Sequence, residues 1–134
     1  MTAQLYDPGR EGILDRTIDM TAATLKAGLV RSGTFTASHK FLSDLTGAGA
    51  TLVSSFALTS KSYTNGILDA ADDVFPTVTA GAACNAVILY NDTGTPSTSR
   101  LVGYEDSATG LPVTPTGANI PVTWDNGANK ILKV

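Results

Sequence analysis

The chain has 134 residues, a mass of 13.8 kDa and a formal net charge of −3, which allows one domain with a sizeable core and leaves no room for a second. Charged residues make up only 16% of it, against the usual quarter, while 43% are hydrophobic, so Thr, Ser, Asn, Gly and Ala must cover most of the surface. Binding to nucleic acid is excluded as an expectation, because it draws on a clustered positive field and here Arg31, Lys40, Lys61, Arg100, Lys130 and Lys133 stand singly.

Other exclusions follow from what the chain lacks in sequence. No stretch approaches the roughly 18 apolar residues of a membrane span, and the first twelve residues hold no apolar core of a secretory signal. Cys84 is the only cysteine and heads an apolar run, which reads as a small buried hydrophobe in a protein made in a reducing cytoplasm. A surface so thin in charge either suits a protein packed against neighbours, since a hydroxyl is cheaper to desolvate than a Lys or Glu, or is compositional drift.

In chain order, residues 1–12 read as a polar, extended N-terminal arm in which Asp7-Pro8-Gly9 signals a turn. Residues 13–134 read as a single β-rich domain. Gly12 to Val30 is ambiguous, but its end, Thr24 to Val30, alternates well enough to be the first core strand. Ser38 is placed to cap a short helix, His39 to Leu45, stopped by Gly47. Thr51 to Thr59 is β-like, with Leu52, Phe56 and Leu58 expected inward, and Asn65-Gly66 predicts a tight hairpin.

The last third is a run of short strands separated by turns. Ala86 to Tyr90 is continuously apolar, which predicts a central strand covered on both faces. Ser99 to Asp106, Ala118 to Trp124 and Asn129 to Val134 follow, with Pro121 removing a ladder donor and so placing its strand at an edge or bulge. The turns between them are Thr-Gly-Thr-Pro, Ala-Thr-Gly-Leu-Pro and Asp-Asn-Gly. The expected fold is all-β or β-dominated, a β-sandwich or flattened barrel of about seven to nine short antiparallel strands with one short helix.

Catalytic chemistry finds little to work with. His39 is the only histidine and reads as an exposed residue on a short helix; a dyad with Cys84 would need the fold to join them. Zinc needs three or four Cys and His ligands. Asp69, Asp72 and Asp73 sit in water or share a cation, but they lack the spacing of a calcium loop. Asp15 with Asp19, or Glu105 with Asp106, would need a raised pKa to act as a glycosidase pair. Thr46 to Thr51 is glycine-rich but lacks the Lys of a phosphate cradle, so it reads as a helix C-cap and loop. Trp124, Tyr90 and Tyr104 serve either the core or a contact patch. The expectation is a non-enzymatic protein with no catalytic residues, no cofactor and no metal.

Taken together, Tyr6-Asp7-Pro8-Gly9-Arg10-Glu11-Gly12-Ile13-Leu14-Asp15, Lys26-Ala27-Gly28-Leu29-Val30 and His39 to Leu45 resemble a family of small virion structural proteins of tailed bacteriophages and prophages. Asp69 to Asp72, Asp92-Thr93-Gly94, Gly110-Leu111-Pro112-Val113 and Trp124 to Ile131 continue the likeness along nearly the whole chain. The resemblance implies a capsid decoration or cement protein that binds the outer surface of the major capsid protein shell as a homo-oligomer, in the manner of a trimer. It implies a place on the capsid surface of the virion after assembly in the host cytoplasm. A tail, neck or fibre-associated component and a host-surface or carbohydrate-binding module are the alternatives. On this reading the arm orders on a partner, with Leu5, Tyr6, Asp7, Pro8 and Arg10 as contact residues and the loop from Asp92 to Thr98 as a second candidate.

Overall fold

The computed structural model describes residues 4–107, 110–124, 127–128 and 130–134. Parts of two expected turns, at Ala108-Thr109 and Asp125-Asn126, lie outside the described residues. The protein is β-dominated, as expected, and its centre is one five-stranded antiparallel sheet. In chain order its strands are β1 (Gln4–Leu5), β2 (Leu25–Arg31), β3 (Thr51–Ala57), β6 (Ala86–Asn91) and β7 (Arg100–Glu105), arranged β1-β7-β6-β2-β3. Two ribbons complete it: β4 (Ile67–Leu68) with β9 (Leu132–Lys133), and β5 (Asp73–Phe75) with β8 (Ile120–Val122).

Both faces of the sheet are covered, which explains the continuous apolar run at its centre. On one face Leu25, Ala27, Leu29, Val87, Leu89 and Val102 form a core with Phe75, Leu132 and Trp124 from the ribbon side. On the other, Val30, Ile88, Tyr90, Leu101 and Tyr104 meet Tyr6, Leu42 and Leu45. Ala86 to Tyr90 is buried at every position, so β6 is the twice-covered central strand its composition predicts. Register shifts at Leu29/Val30 on β2, opposite Val53, and at Leu89/Tyr90 on β6, opposite Val102, let β3 and β7 each carry one extra residue.

The N-terminal segment departs from the expected arm. After β1 pairs with β7 through Gln4↔Tyr104 and Leu5↔Gly103, the chain enters helix α1 (Asp7–Asp15). The residues that signal a turn are used otherwise. Pro8 sits in the first turn of α1, where its missing N–H costs nothing. Gly9 lets the helix lie directly on β7, because a Cβ there would stand 2.9 Å from the Leu101 and Val102 carbonyl oxygens. Asp7 accepts a hydrogen bond from Arg10 one turn on, at 3.0 Å. Leu5 and Tyr6 are buried, Tyr6 completely, so the segment folds as part of the domain instead of hanging from it.

The expected helix at His39 to Leu45 is also displaced, to α2 (Leu42–Gly47). Its start is held by Asp44, whose carboxylate accepts the Lys40 and Phe41 amides at 2.9 Å, and not by Ser38. Those two bonds hold the Asp44 carboxyl below its ordinary pKa. The Asn-Gly turn is where the sequence puts it, with φ of 58° at Asn65 and 74° at Gly66. The Ser62 and Asp69 backbones exchange hydrogen bonds across it, while Ile67 and Leu68 pair onward with β9. Pro121 lies in β8, half of a two-stranded ribbon, as a strand short of one donor should.

Candidate interaction surface

The chemistry-bearing side chains are dispersed, and the carboxylates among them are mostly occupied by local hydrogen bonds. Cys84 belongs to the ribbon-side core and is 0% exposed, with its thiol pushed up in pKa by burial against the smaller opposing effect of Arg31. His39 lies with its ring nearly parallel to Tyr6 at 6.4 Å, beside the opposite core, half-buried instead of exposed. The fold therefore does not join them. Asp15 and Asp19 each hold the Thr two residues on, Thr17 and Thr21, by both backbone and hydroxyl, which lowers their pKa where a general acid needs it raised. Glu105 is buried and accepts two bonds from Ser107, at 2.6 and 2.7 Å.

The acidic run is likewise divided. Asp69 and Asp73 each accept the amide of the next residue, and Asp72 accepts the Trp124 amide at 2.8 Å. Among the described residues no three His, Cys, Asp or Glu side chains stand close enough to hold a metal. Trp124 donates its indole N–H to the Ala71 carbonyl and packs near Phe56, so it is a core residue with a satisfied polar end. Tyr90 and Tyr104 are buried too.

Two concavities stand out among the described residues. One, of about 250 Å³, lies between the sheet and the β5/β8 ribbon, lined by Leu29, Phe75, Val87, Leu111, Ile120 and Val122 with no ionisable side chain among the described residues. The other is a shallow surface hollow of about 400 Å³ lined by Gln4, Leu5, Asp7, Arg10, Phe35, Ala37 and Lys133. Three of the residues expected to contact a partner, Leu5, Asp7 and Arg10, thus share one depression. Tyr6 does not reach it; its ring is sunk beneath, 5.0 Å from Phe35, and burial, with the neighbouring Tyr104, raises its phenol pKa far above the ordinary value.

Helix α1 extends this surface. Asp7, Arg10, Glu11 and Leu14 recur at helical spacing and all are exposed, Leu14 at 81%. Leu14 was not singled out by its sequence, because it falls in the ambiguous stretch from Gly12 to Val30, whose apolar residues fit a helix period only loosely. A hollow lined by Leu5, Phe35 and Ala37 together with Gln4 and the charged Asp7, Arg10 and Lys133, beside a protruding leucine on α1, has the mixed make-up of a protein contact surface. The Asp92–Thr98 loop is exposed from Thr93 to Thr98 and internally braced, with Asp92 accepting the Gly94 amide at 2.8 Å and Ser99 donating to the Thr95 carbonyl at 2.9 Å. No helix among the described residues is long and apolar enough to cross a membrane. No protein-family model matches the chain, and no curated protein matches it.

Proposed function

We propose that this chain is a non-enzymatic structural protein of a bacteriophage virion, of the capsid decoration or cement kind. It would bind the outer surface of the major capsid protein shell in many copies, as a homo-oligomer, and stabilise it. The resemblance along the chain motivates the reading. The observation that carries it is the surface formed by the α1 face and the hollow beside it, with Asp7, Arg10 and Leu14 exposed on one rigid element. Such a surface binds by area, and many weak contacts of this kind secure a shell when repeated across it.

The test is co-sedimentation of the purified protein with expanded capsids, with copy number read by mass spectrometry. A fixed ratio to the major capsid subunit is expected, and Leu14→Asp combined with Arg10→Glu should weaken binding by about tenfold or more. Recovery of only a few copies per particle points to a tail or neck component instead. Retention on a glycan column with no capsid binding would replace the proposal with a carbohydrate-binding role.

A further inference from the structure

The two edges of the main sheet are treated differently. Along β7 the outer edge is occupied from Arg100 to Tyr104: β1 pairs with Gly103 and Tyr104, the Tyr6 amide donates to the Val102 carbonyl at 3.1 Å, the Leu101 amide donates to the Lys40 carbonyl at 2.9 Å, and Phe41 bridges to Arg100. The opposite edge, β3, pairs with β2 alone among the described residues. β5 packs on its face through Phe56 and Phe75, 4.9 Å apart, without joining its ladder.

An edge of this kind ordinarily carries a lysine, a proline, an inward charge or a bulge to prevent pairing. Of these, Thr51–Ala57 has the bulge alone. Its one irregularity is the extra residue at Val53, and beyond it Ser54 to Ala57 runs in unbroken register with Leu29 to Lys26. We infer that two copies of this chain pair antiparallel through β3, joining their five-stranded sheets into one across a twofold axis near Ser55. A second copy is the fitting occupant for three reasons. An antiparallel edge is complementary to itself under a twofold, the absence of charge on 51–57 means no like charges are brought into opposition, and the strand at the other end of the sheet, β1, offers only two described residues on which to extend the pairing. Ser54 shares a face with Phe56 and Ser55 lies on the other, so this register keeps each core face continuous between the copies.

The inference does not depend on the virion proposal and is tested on the protein alone. Cα atoms opposite each other in an antiparallel pair stand about 4.5–5.5 Å apart, within the span of a disulfide. Ser55→Cys should therefore oxidise to a covalent species of twice 13.8 kDa at least about tenfold faster than Gln4→Cys, an exposed position on β1 at the other end of the sheet. The buried Cys84 does not compete. In the unaltered protein, amide exchange of residues 51–57 should slow as concentration rises toward about 1 mM, while the amides of β7 stay unchanged. Equal cross-linking of the two cysteine variants, or exchange at 51–57 independent of concentration, overturns the inference. The second measurement decides the matter even where a variant folds poorly.

Discussion

The β7 edge and the β3 edge of one sheet differ in what the chain spends on them. To close β7 it commits two strand residues, a nine-residue helix, the Tyr6 ring and the loop through Phe41. To β3 it commits one neighbouring strand. The difference teaches that the N-terminal segment acts first as an edge cover: it satisfies backbone groups that would otherwise template pairing, and only its outward face stays exposed.

The largest effect that separates the edges should come from cutting the cover's anchor. Tyr6→Ala is expected to lower stability by about 3–5 kcal/mol, whereas Phe56→Ala on the half-buried open edge should cost less than half of that, both read from denaturant midpoints at constant slope. A matching loss at the two positions would mean that the edges are equally embedded. Next comes Gly9→Ala, expected to cost about 1–3 kcal/mol because the added methyl meets main-chain oxygens that cannot swing aside. An Ala at Gly47, where a Cβ meets nothing, provides the contrast.

The smallest effect concerns the ion pair next to the open edge. Lys26, paired on its two sides with Ala57 and Tyr90, reaches the Asp92 carboxylate at 2.8 Å. The hydrogen bond from Lys26 lowers the Asp92 pKa, and the bond to Asp92 raises that of Lys26. Stability from Asp92 is thus present above its unfolded pKa of about 3.9 and is lost as pH falls through the lower folded value. Stability from Lys26 is complete below about 10.4 and is lost as pH rises through the higher folded value. Both side chains are roughly a quarter to a third exposed, so Lys26→Met should cost under about 1 kcal/mol at neutral pH and flatten the acid limb of the stability curve.

Much of the sheet was legible because burial writes itself into composition. Ala86 to Tyr90 can only be satisfied with cover on two sides, and Asn65-Gly66 specifies a turn through backbone angles that few other pairs tolerate. The N-terminal segment was illegible for an equally physical reason. Pro8 and Gly9 mark turns in most settings, but a proline also opens a helix, and a glycine also permits a helix to touch a strand; only the partner strand, some 90 residues away, decides between those uses. The same holds for α2, whose cap is Asp44 reaching back and not Ser38 reaching forward. Of the expected contact residues, local pattern could name the segment but not divide it into the buried Leu5 and Tyr6 and the outward Asp7 and Arg10, because that division is set by β7.

Cys84 gives the molecule a built-in clock. Its sulfur is sealed in the ribbon-side core and its backbone is paired with Val113, so a thiol-selective label present in excess can attach only during excursions that open this core. The labelling half-life, followed by mass, then counts how often that core opens around Cys84, with no dye or tag engineered into the chain.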